Sequence, residues 1–532
     1  MFLKGISFSI VVCMFLLIAS YHISRHFYKK VGLFNPLSIF FGAWFVALFL
    51  YELDAYFGFF RVRMSMQADV CLAISFLCFF VGYFISITLN NYASATLAKV
   101  YVLQDNIKYV WYINIILFVV FSLATLSKYF IITAHFGNFY CAMTEVKQSA
   151  IQGEFKFPFF FNFLVLPAYL LIVNLGFLVS ACKSKIALFM GILVLGLALL
   201  NSSFVGMRGE FLNFSLLFIS SIIAAHVALE KKVGISDYFN IALIMLAILS
   251  VLAISLYLRS FTLNCPNPQR NVGSNNVIAA NGTIKTEFDH SSLASGAQIS
   301  TGQTTAVAHS VQQKDEKNNT QASGSINSTQ PEIVKIPPEA SSTTNSTQSI
   351  NEKYSVQTKS EGTSIYNALF EHNFLYIVGP IPSYSYFLNY PWPSHYWGMW
   401  TFYGLYNGIN ELAVFILHAP LFDRLKTPTF YAPVTRQGPY NSTNYLTYIH
   451  SDFGFSGILL ISFFVGLISG YFFMQAIKFK KMIDIQITTL ILAGLILSIR
   501  GMISNGPYFW FLLFLMTFQW LFLKSKINKN HI

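Results

Sequence analysis

Long runs of apolar residues divide this chain, and each is long enough to cross a lipid bilayer as a helix. The hydrocarbon core of a bilayer is about 30 Å thick, so a spanning helix needs about 20 apolar residues. Hydropathy and length select about eleven such segments, of which the sixth and the tenth are short. They are 5–20, 34–53, 69–88, 110–131, 157–181, 185–200, 211–229, 240–258, 454–476, 485–499 and 508–523. The sequence therefore predicts an all-α polytopic membrane protein with about eleven transmembrane helices.

The composition excludes an ordinary soluble protein. Only 11% of the 532 residues are charged, against about 25% in soluble domains, and the mean hydropathy is +0.55. The net charge of +12 raises the alternative of nucleic-acid binding. However, the lysines and arginines fall between the apolar runs and form no continuous basic stripe. We therefore expect no nucleic-acid partner, and the lipid bilayer as the main surroundings.

The basic residues predict the orientation of the chain. With the N-terminus outside, the positive-inside rule is satisfied by nearly every connection. The predicted cytoplasmic segments include SRHFYKK, CKSK, EKK, KFKK and KSKINK, whereas the opposite connections carry fewer positive charges apart from RVR after the second run. The first run is read as a retained helix because no small-residue cleavage site follows it. The expected location is the bacterial inner (cytoplasmic) membrane, as a multi-pass protein.

Two regions between the eighth and ninth runs differ from the rest and form one large external loop. We predict transmembrane helices 1–8 over 1–259, a polar and disordered insertion over 260–362, an aromatic external loop or cap over 363–452, and helices 9–11 over 453–532. The insertion is rich in Ser, Thr, Asn, Gln and Gly, and buries too little apolar surface to offset the entropy of ordering. Its Asn-x-Ser/Thr sequons are expected by chance in such a composition, although used sequons would indicate a glycosylated eukaryotic surface protein.

Four arginines are predicted at the external edge of the membrane. They are Arg208, Arg259, Arg436 and Arg500. An arginine beside a bilayer is costly and is a functional hypothesis by default, and its guanidinium binds phosphate oxygens in a bidentate fashion. The alternative is contact with lipid headgroups at the interface. Arg208 and Arg500 are each followed by glycine, which permits the close approach of a ligand.

The segment YIHSDFGFSG places His450 and Asp452 where the chain enters the ninth run. Either side chain at this edge is a candidate general base for a hydroxyl group. The alternative for Asp452 is the N-cap of the ninth helix, because aspartate is favoured there. The two roles are compatible.

Other site signals are weaker or missing. The aromatic residues Trp392, Trp397, Trp400, Tyr403 and Tyr406 either stack on sugar rings or form an interfacial belt. The sequence has no CxxC pair, no Walker A motif, no HExxH motif and no DxD pair, so we predict no metal site and no cofactor.

Four segments together resemble the Wzy-type oligosaccharide repeat-unit polymerases, which build O-antigens and capsules. SSFVGMRGEFLNFSLLF resembles the Arg-Gly element at a helix end of that family. NYLTYIHSDFGFSGILLISFFVGLISG resembles its Thr-aromatic-DFG-x-x-G element. FLYIVGPIPSYSYFLNYPWP resembles the aromatic stretch of its large external loop, and GLFNPLSIFFGAWFVALFLYEL its second helix. The resemblance covers most of the chain outside 266–362.

The resemblance implies a function. Such enzymes transfer a growing glycan from undecaprenyl pyrophosphate to a new lipid-linked repeat unit on the outer face of the inner membrane. Donor and acceptor are both lipid-linked, and a chain-length regulator and a flippase are the implied protein partners. In these terms Asp452 and His450 are catalytic, and the pyrophosphate site is formed by Arg208, Arg259, Arg436, Tyr440, Asn444 and Arg500.

Two rival functions share the membrane setting. An O-antigen ligase uses the same donor but transfers it to a lipid A core. A flippase or transporter for lipid-linked glycans is expected to carry polar residues at midplane depth and internal repeats. The ionisable residues of this chain instead cluster at the predicted outer edge, and no clear duplication is visible.

Overall fold

The computed structural model describes residues 7–27, 31–92, 103–136, 164–205, 208–229, 374–389, 396–422, 432–435, 438–440 and 442–530. These all belong to the unit formed by Met1–Cys265 and Thr363–Ile532. The helices are α1 Phe8–Phe27, α2 Pro36–Phe57, α3 Met66–Tyr92, α4 Leu103–Phe136, α5 Pro167–Cys182, α6 Lys185–Val205, α7 Arg208–Ala228, α8 Pro380–Leu388, α9 Tyr403–Leu417, α10 Tyr445–Phe479, α11 Met482–Leu497 and α12 Pro507–Asn530. Two short strands, β1 Ala432–Thr435 and β2 Gly438–Tyr440, pair antiparallel.

The described residues form a mostly helical, multi-pass membrane protein. Eight of their helices are long and apolar enough to cross a membrane, and α5 and α11 are shorter apolar helices. Ten of the eleven predicted segments overlap one of these ten helices. The eighth, 240–258, lies outside the described residues, as does the polar insertion, so eleven spans stays a prediction.

The predicted lengths need three corrections. The sixth segment is a helix of 21 residues, and the described part of the fifth contains a helix of 16 residues that begins at Pro167, while 157–163 lies outside the described residues. The tenth is short as predicted, with 16 residues, or about 24 Å at 1.5 Å per residue. The ninth begins at Tyr445, nine residues before the predicted start, and bends at Gly454, whose φ of 63° and ψ of −155° are not helical. The β1–β2 ribbon was also not expected of an all-α chain.

Local sequence explains where α2 begins and ends. The Asn35 side chain accepts a hydrogen bond of 2.9 Å from the backbone N–H of Ser38, and Pro36 occupies the first helical position, which proline favours because it lacks an N–H. At the other end Gly58 has φ 64°, the left-handed conformation that ends many helices.

Contacts between connections place several of them at one end of the bundle. The backbone N–H groups of Phe8 and Ser9 donate to the Asp69 carboxylate at 2.6 and 2.8 Å. Arg61 N–H donates to the Val434 carbonyl at 2.9 Å. These contacts join the start of α1, the α2–α3 connection and the ribbon, all predicted to be external. At the opposite end of the bundle, Lys478 Nζ donates to the Asn90 carbonyl. Both residues lie in connections predicted to be cytoplasmic, so this contact agrees with the predicted alternation of external and cytoplasmic connections.

Helices α3 and α10 approach closely because glycines face the partner backbone. A Cβ atom on Gly82 would lie 2.1 Å from the Phe463 carbonyl oxygen, and one on Gly466 would lie 2.1 Å from the Phe79 carbonyl oxygen. Gly466 and Gly470 form a GxxxG pair, the spacing that allows helices in membranes to pack at short range. The pair therefore fixes α10 against α3.

We expect Gly466→Ala to weaken this packing. The added methyl group must displace a backbone carbonyl, and overpacking of this kind costs about 1–3 kcal/mol of unfolding free energy. The thermal unfolding temperature in detergent is the measurement. Gly196→Ala is the matched control, because a Cβ atom there meets nothing within 4 Å. Equal shifts for the two variants would contradict the close approach.

Uncharged amides link four helices inside the bundle. Asn174 Nδ2 donates to Asn114 Oδ1 at 3.0 Å, and Gln486 Nε2 donates to Asn174 Oδ1 at 2.8 Å and to Gln519 Oε1 at 3.0 Å. All four side chains are buried. Such interhelical hydrogen bonds satisfy polar groups that lipid cannot, although Asn114 Nδ2 and Gln519 Nε2 have no partner among the described residues.

Candidate functional site

Arg500 lies in the turn between α11 and α12, stacked on an aromatic ring. Its guanidinium carbon is 3.2 Å from the centroid of the Tyr376 ring, well within the range for a cation–π contact. Among the described residues, the buried Nε atom has no hydrogen-bond partner and no carboxylate forms an ion pair with this arginine. The guanidinium is therefore held by its face, and its positive charge is not neutralised by these surroundings.

Two further tyrosines complete the wall around Arg500. Tyr440 Oη donates to the Tyr376 carbonyl at 3.4 Å. Burial raises the pKa of Tyr440 to about 12, although the nearby Arg500 charge acts to lower it, so this hydroxyl stays protonated at neutral pH. The Tyr448 hydroxyl contacts Asn505, and its ring lies 3.8 Å from where a Cβ on Gly501 would be. Tyr440, predicted from the resemblance to line the site, does lie beside Arg500.

Gly209, which belongs to the other Arg–Gly pair, also lies near Tyr376. Helix α7 begins at Arg208, and a Cβ atom on Gly209 would lie 4.0 Å from Tyr376 Oη. The first N–H groups of a helix have no intrahelical partner, and the helix dipole makes this end favourable for an anion. Tyr376 therefore lies between the start of α7 and Arg500, although the side chain of Arg208 itself is outside the described part.

Asp452 is buried and binds backbone N–H groups of a distant segment. Its two oxygens accept hydrogen bonds from Trp400 N–H at 3.1 Å and from Thr401 N–H at 2.6 Å. These donors belong to the turns that lead into α9. Asp452 does not cap its own helix, because the N-cap of α10 is Asn444, whose side chain accepts from Leu446 N–H at 3.0 Å. The N-cap interpretation of Asp452 is therefore wrong.

His450 and Asp452 point to different places. Residues two apart on a helix do not share a face, and His450 lines an apolar groove of about 480 Å³ with Met66, Val70 and Phe455 among others. Asp452 faces the turns before α9. The two side chains therefore do not form one catalytic pair, and the catalytic role of each stays a separate prediction.

The turns before α9 are bound from both sides. Asn505, with its amide oriented to donate, reaches the carbonyls of Trp400 at 2.8 Å and Thr401 at 2.9 Å. Ser504 Oγ also donates to the Thr401 carbonyl, at 2.7 Å. The turns are thus fixed between α10 and the connection that carries Arg500. On the same turns Trp397 is 79% exposed.

Asn444 lies near the segment that carries Arg500, but its side chain has a structural role as the N-cap of α10. It is 1% exposed and caps α10, and the following N–H, that of Tyr445, donates to the Ser498 carbonyl at 3.1 Å. The role of Asn444 as a substrate ligand therefore stays a prediction. Arg259, Arg436 and Trp392 lie outside the described residues.

Sequence reasoning missed a buried charged group beside Arg208. Lys128 Nζ on α4 donates to Asn201 Oδ1 at 3.1 Å, and Asn201 Nδ2 donates to Glu210 Oε2 at 2.9 Å. Lys128 is 1% exposed. Two features of the sequence could have indicated this group: a lysine inside an apolar run, and an acidic residue directly after Arg208 and Gly209.

Comparisons with protein-family models, with curated proteins and with solved structures found no match for this chain.

Proposed function

We propose that this chain polymerises oligosaccharide repeat units linked to undecaprenyl pyrophosphate, on the outer face of the bacterial inner membrane. The observation that carries the proposal is the Arg500 guanidinium, which stacks on Tyr376 without an ion-pair partner among the described residues. The start of α7 approaches the same ring. The resemblance of the flanking segments to Wzy-type polymerases supplies the substrate class.

The reaction needs positive charge where the leaving group departs. When the glycan leaves undecaprenyl pyrophosphate, negative charge develops on the phosphate oxygens, and fixed cationic donors there stabilise the transition state. A guanidinium stacked by its face can still direct terminal N–H groups at such oxygens. Arg500 and Arg208 would act in this way, and the Tyr440 hydroxyl, which donates to the Tyr376 carbonyl, helps to position the residue on whose ring Arg500 stacks.

The setting at the edge of a membrane bundle suits a lipid-linked substrate. The polyprenyl chain would stay in the bilayer while the pyrophosphate and sugars lie beyond the helix ends. Exposed aromatic residues of the cap, such as Trp397, are suited to stacking against sugar rings.

Deletion of the chain in its host, followed by gel analysis of surface polysaccharide, tests the proposal. A polymerase deletion is expected to leave a single repeat attached to the lipid acceptor. A ladder missing from the surface while lipid-linked polymer accumulates would instead identify a ligase. Single repeats trapped on the inner face would identify a flippase, and an unchanged ladder would contradict any role in this assembly.

A further inference from the structure

Helix α9 carries a stripe of exposed apolar side chains along one face. The members of this stripe are Leu405, Ile409, Leu412 and Ile416. Their spacing of four, three and four residues places them on the same side of a helix. They are between 36% and 61% exposed, and Phe402, directly before the helix, continues the stripe with 37%. The stripe thus runs along the whole of α9 without being buried in the protein.

The opposite face of α9 is polar. Asn407 and Glu411 each lie two residues after a member of the stripe, so they belong to another face of the helix. Asn410 binds the chain that follows α9, because its amide donates to the Phe422 carbonyl at 3.0 Å and accepts from the Phe422 N–H at 2.9 Å. Helix α9 is therefore amphipathic.

Length and composition distinguish α9 from the spanning helices. Its 15 residues extend about 22 Å at 1.5 Å per residue, less than the ~30 Å of the hydrocarbon core. Glu411 and two asparagines also lie within this short helix. It is not one of the eight described helices that are long and apolar enough to cross a membrane. The exposed stripe therefore needs an apolar cover other than the one that a spanning helix has.

Two contacts place the start of α9 beside the predicted external end of α12. A Cβ atom on Gly404 would lie 2.5 Å from the carbonyl carbon of Gly506, so the two backbones are in direct contact. The ring centroids of Phe402 and Trp510 are 6.0 Å apart. Trp510 Nε1 donates to the Ser504 carbonyl at 2.8 Å, and tryptophan is favoured at the membrane–water interface. These contacts favour an interfacial depth for the start of α9.

The stripe begins beside a lipid-facing surface of α12. Trp510, Phe514 and Phe518 are spaced four residues apart and share one face of that helix. Phe514 and Phe518 are 64% and 60% exposed, and α12 is long and apolar enough to cross a membrane. Lipid chains are therefore the expected cover of this face. Because Phe402 contacts Trp510, the two apolar surfaces are continuous, which favours lipid as the cover of the stripe as well.

We propose that α9 is a membrane-surface helix, whose stripe is buried between the headgroups and the upper acyl chains of the leaflet at the predicted external side. Amphipathic helices of this kind bury their apolar face about 5–10 Å into that boundary. Ser504 Oγ donates to the Thr401 carbonyl at 2.7 Å, so the depth of α9 also sets the height of the connection that carries Arg500. The inference goes beyond the proposed function, because it holds whichever reaction the chain performs.

Photolabelling of the full chain in nanodiscs of phosphatidylethanolamine and phosphatidylglycerol tests the proposal. Two phospholipid probes carry a trifluoromethylphenyl diazirine, one near the headgroup and one at the end of an acyl chain, and mass spectrometry locates the adducts. The shallow probe is expected to label the stripe at least about fivefold more than the deep probe does. Phe518, about 16 Å along α12 from Pro507, is the internal control and is expected to show the reverse preference.

A pair of variants tests whether the apolar face itself holds α9 in the leaflet. Leu412→Glu changes a side chain that is 54% exposed, so the chain is expected to fold. This variant is expected to lower the shallow labelling of Ile409 and Ile416 by about threefold or more, whereas Glu411→Gln on the polar face leaves it unchanged. Equal effects of the two variants would contradict this role of the stripe.

Two results for the wild-type chain would overturn the proposal even if Leu412→Glu folds poorly. Labelling of the stripe by both probes at only the level of Asn407 would show that water, a second copy or another protein covers it. Equal labelling of the stripe by the shallow and the deep probe would show that α9 lies deeper than the membrane surface. Both results are independent of whether the chain polymerises glycans.

Discussion

Replacing Arg500 by lysine is expected to lower the rate of glycan polymerisation by about 100-fold or more. The guanidinium now lies face-on to Tyr376 at 3.2 Å, and its N–H edges are suited to two phosphate oxygens at once. Lysine keeps the charge but loses the planar fork and the stacking geometry. The rate with lipid-linked repeats and the affinity for undecaprenyl pyrophosphate are the two quantities to measure.

Two sets of matched variants separate this role from general charge effects. Arg63→Lys changes an arginine that is 49% exposed at the same predicted side of the membrane and 3.8 Å from Asp54, and it is expected to leave the rate unchanged. Tyr376→Phe keeps the ring and is expected to have little effect, whereas Tyr376→Leu removes it and should cost about tenfold. An Arg500→Lys enzyme with the wild-type rate would show that this arginine is not a pyrophosphate ligand.

The spanning helices were predictable because the bilayer imposes a length and a hydropathy on each of them. Ten predicted segments therefore coincide, in the same order, with ten of the described helices, and eight of these ten are long and apolar enough to cross a membrane. Their ends were predicted less well. Hydropathy predicts that the ninth helix begins at 454, whereas it begins at Tyr445. The difference arises because Asn444 caps a polar helical turn, and a hydropathy window excludes such polar residues.

The site was predicted only in part, because its partners are distant in the sequence. Arg500 and Tyr440 were expected near one another from the resemblance, but no local pattern pairs Arg500 with Tyr376. Likewise, Lys128 and Glu210 lie on α4 and α7, and Asn201 bridges them from α6. Such contacts depend on how helices pack, which the apolar pattern of each helix does not specify when every helix is apolar on most of its faces.

The N-cap prediction for Asp452 failed for the same reason, because the partners of this side chain are distant in the sequence. Aspartate before an apolar run is typical of a helix N-cap, and the residue does bind N–H groups near the start of a helix. The helix concerned is α9, reached across the fold, and not its own. Asp69 acts similarly, since it accepts from the first N–H groups of α1 while belonging to α3.

Replacing Asp452 by asparagine is expected to lower the free energy of unfolding by roughly 2–4 kcal/mol. The asparagine side chain has one acceptor oxygen, so it satisfies only one of the Trp400 and Thr401 N–H groups and places an NH₂ group against the other. Hydrogen bonds to a charged acceptor are also stronger than those to a neutral one. Thermal unfolding in detergent and protease cleavage within 396–402 are the measurements.

Glu411→Gln is the control for Asp452→Asn, because it neutralises an exposed carboxylate on α9 and should change neither the unfolding temperature nor the cleavage. The activity of Asp452→Asn then distinguishes two roles. If Asp452 acts through the turns before α9, lost activity accompanies lost stability, and both recover together at lower temperature. An Asp452→Asn chain with wild-type stability and a rate about 100-fold lower would contradict that account, and would support the direct catalytic role that the family resemblance implies.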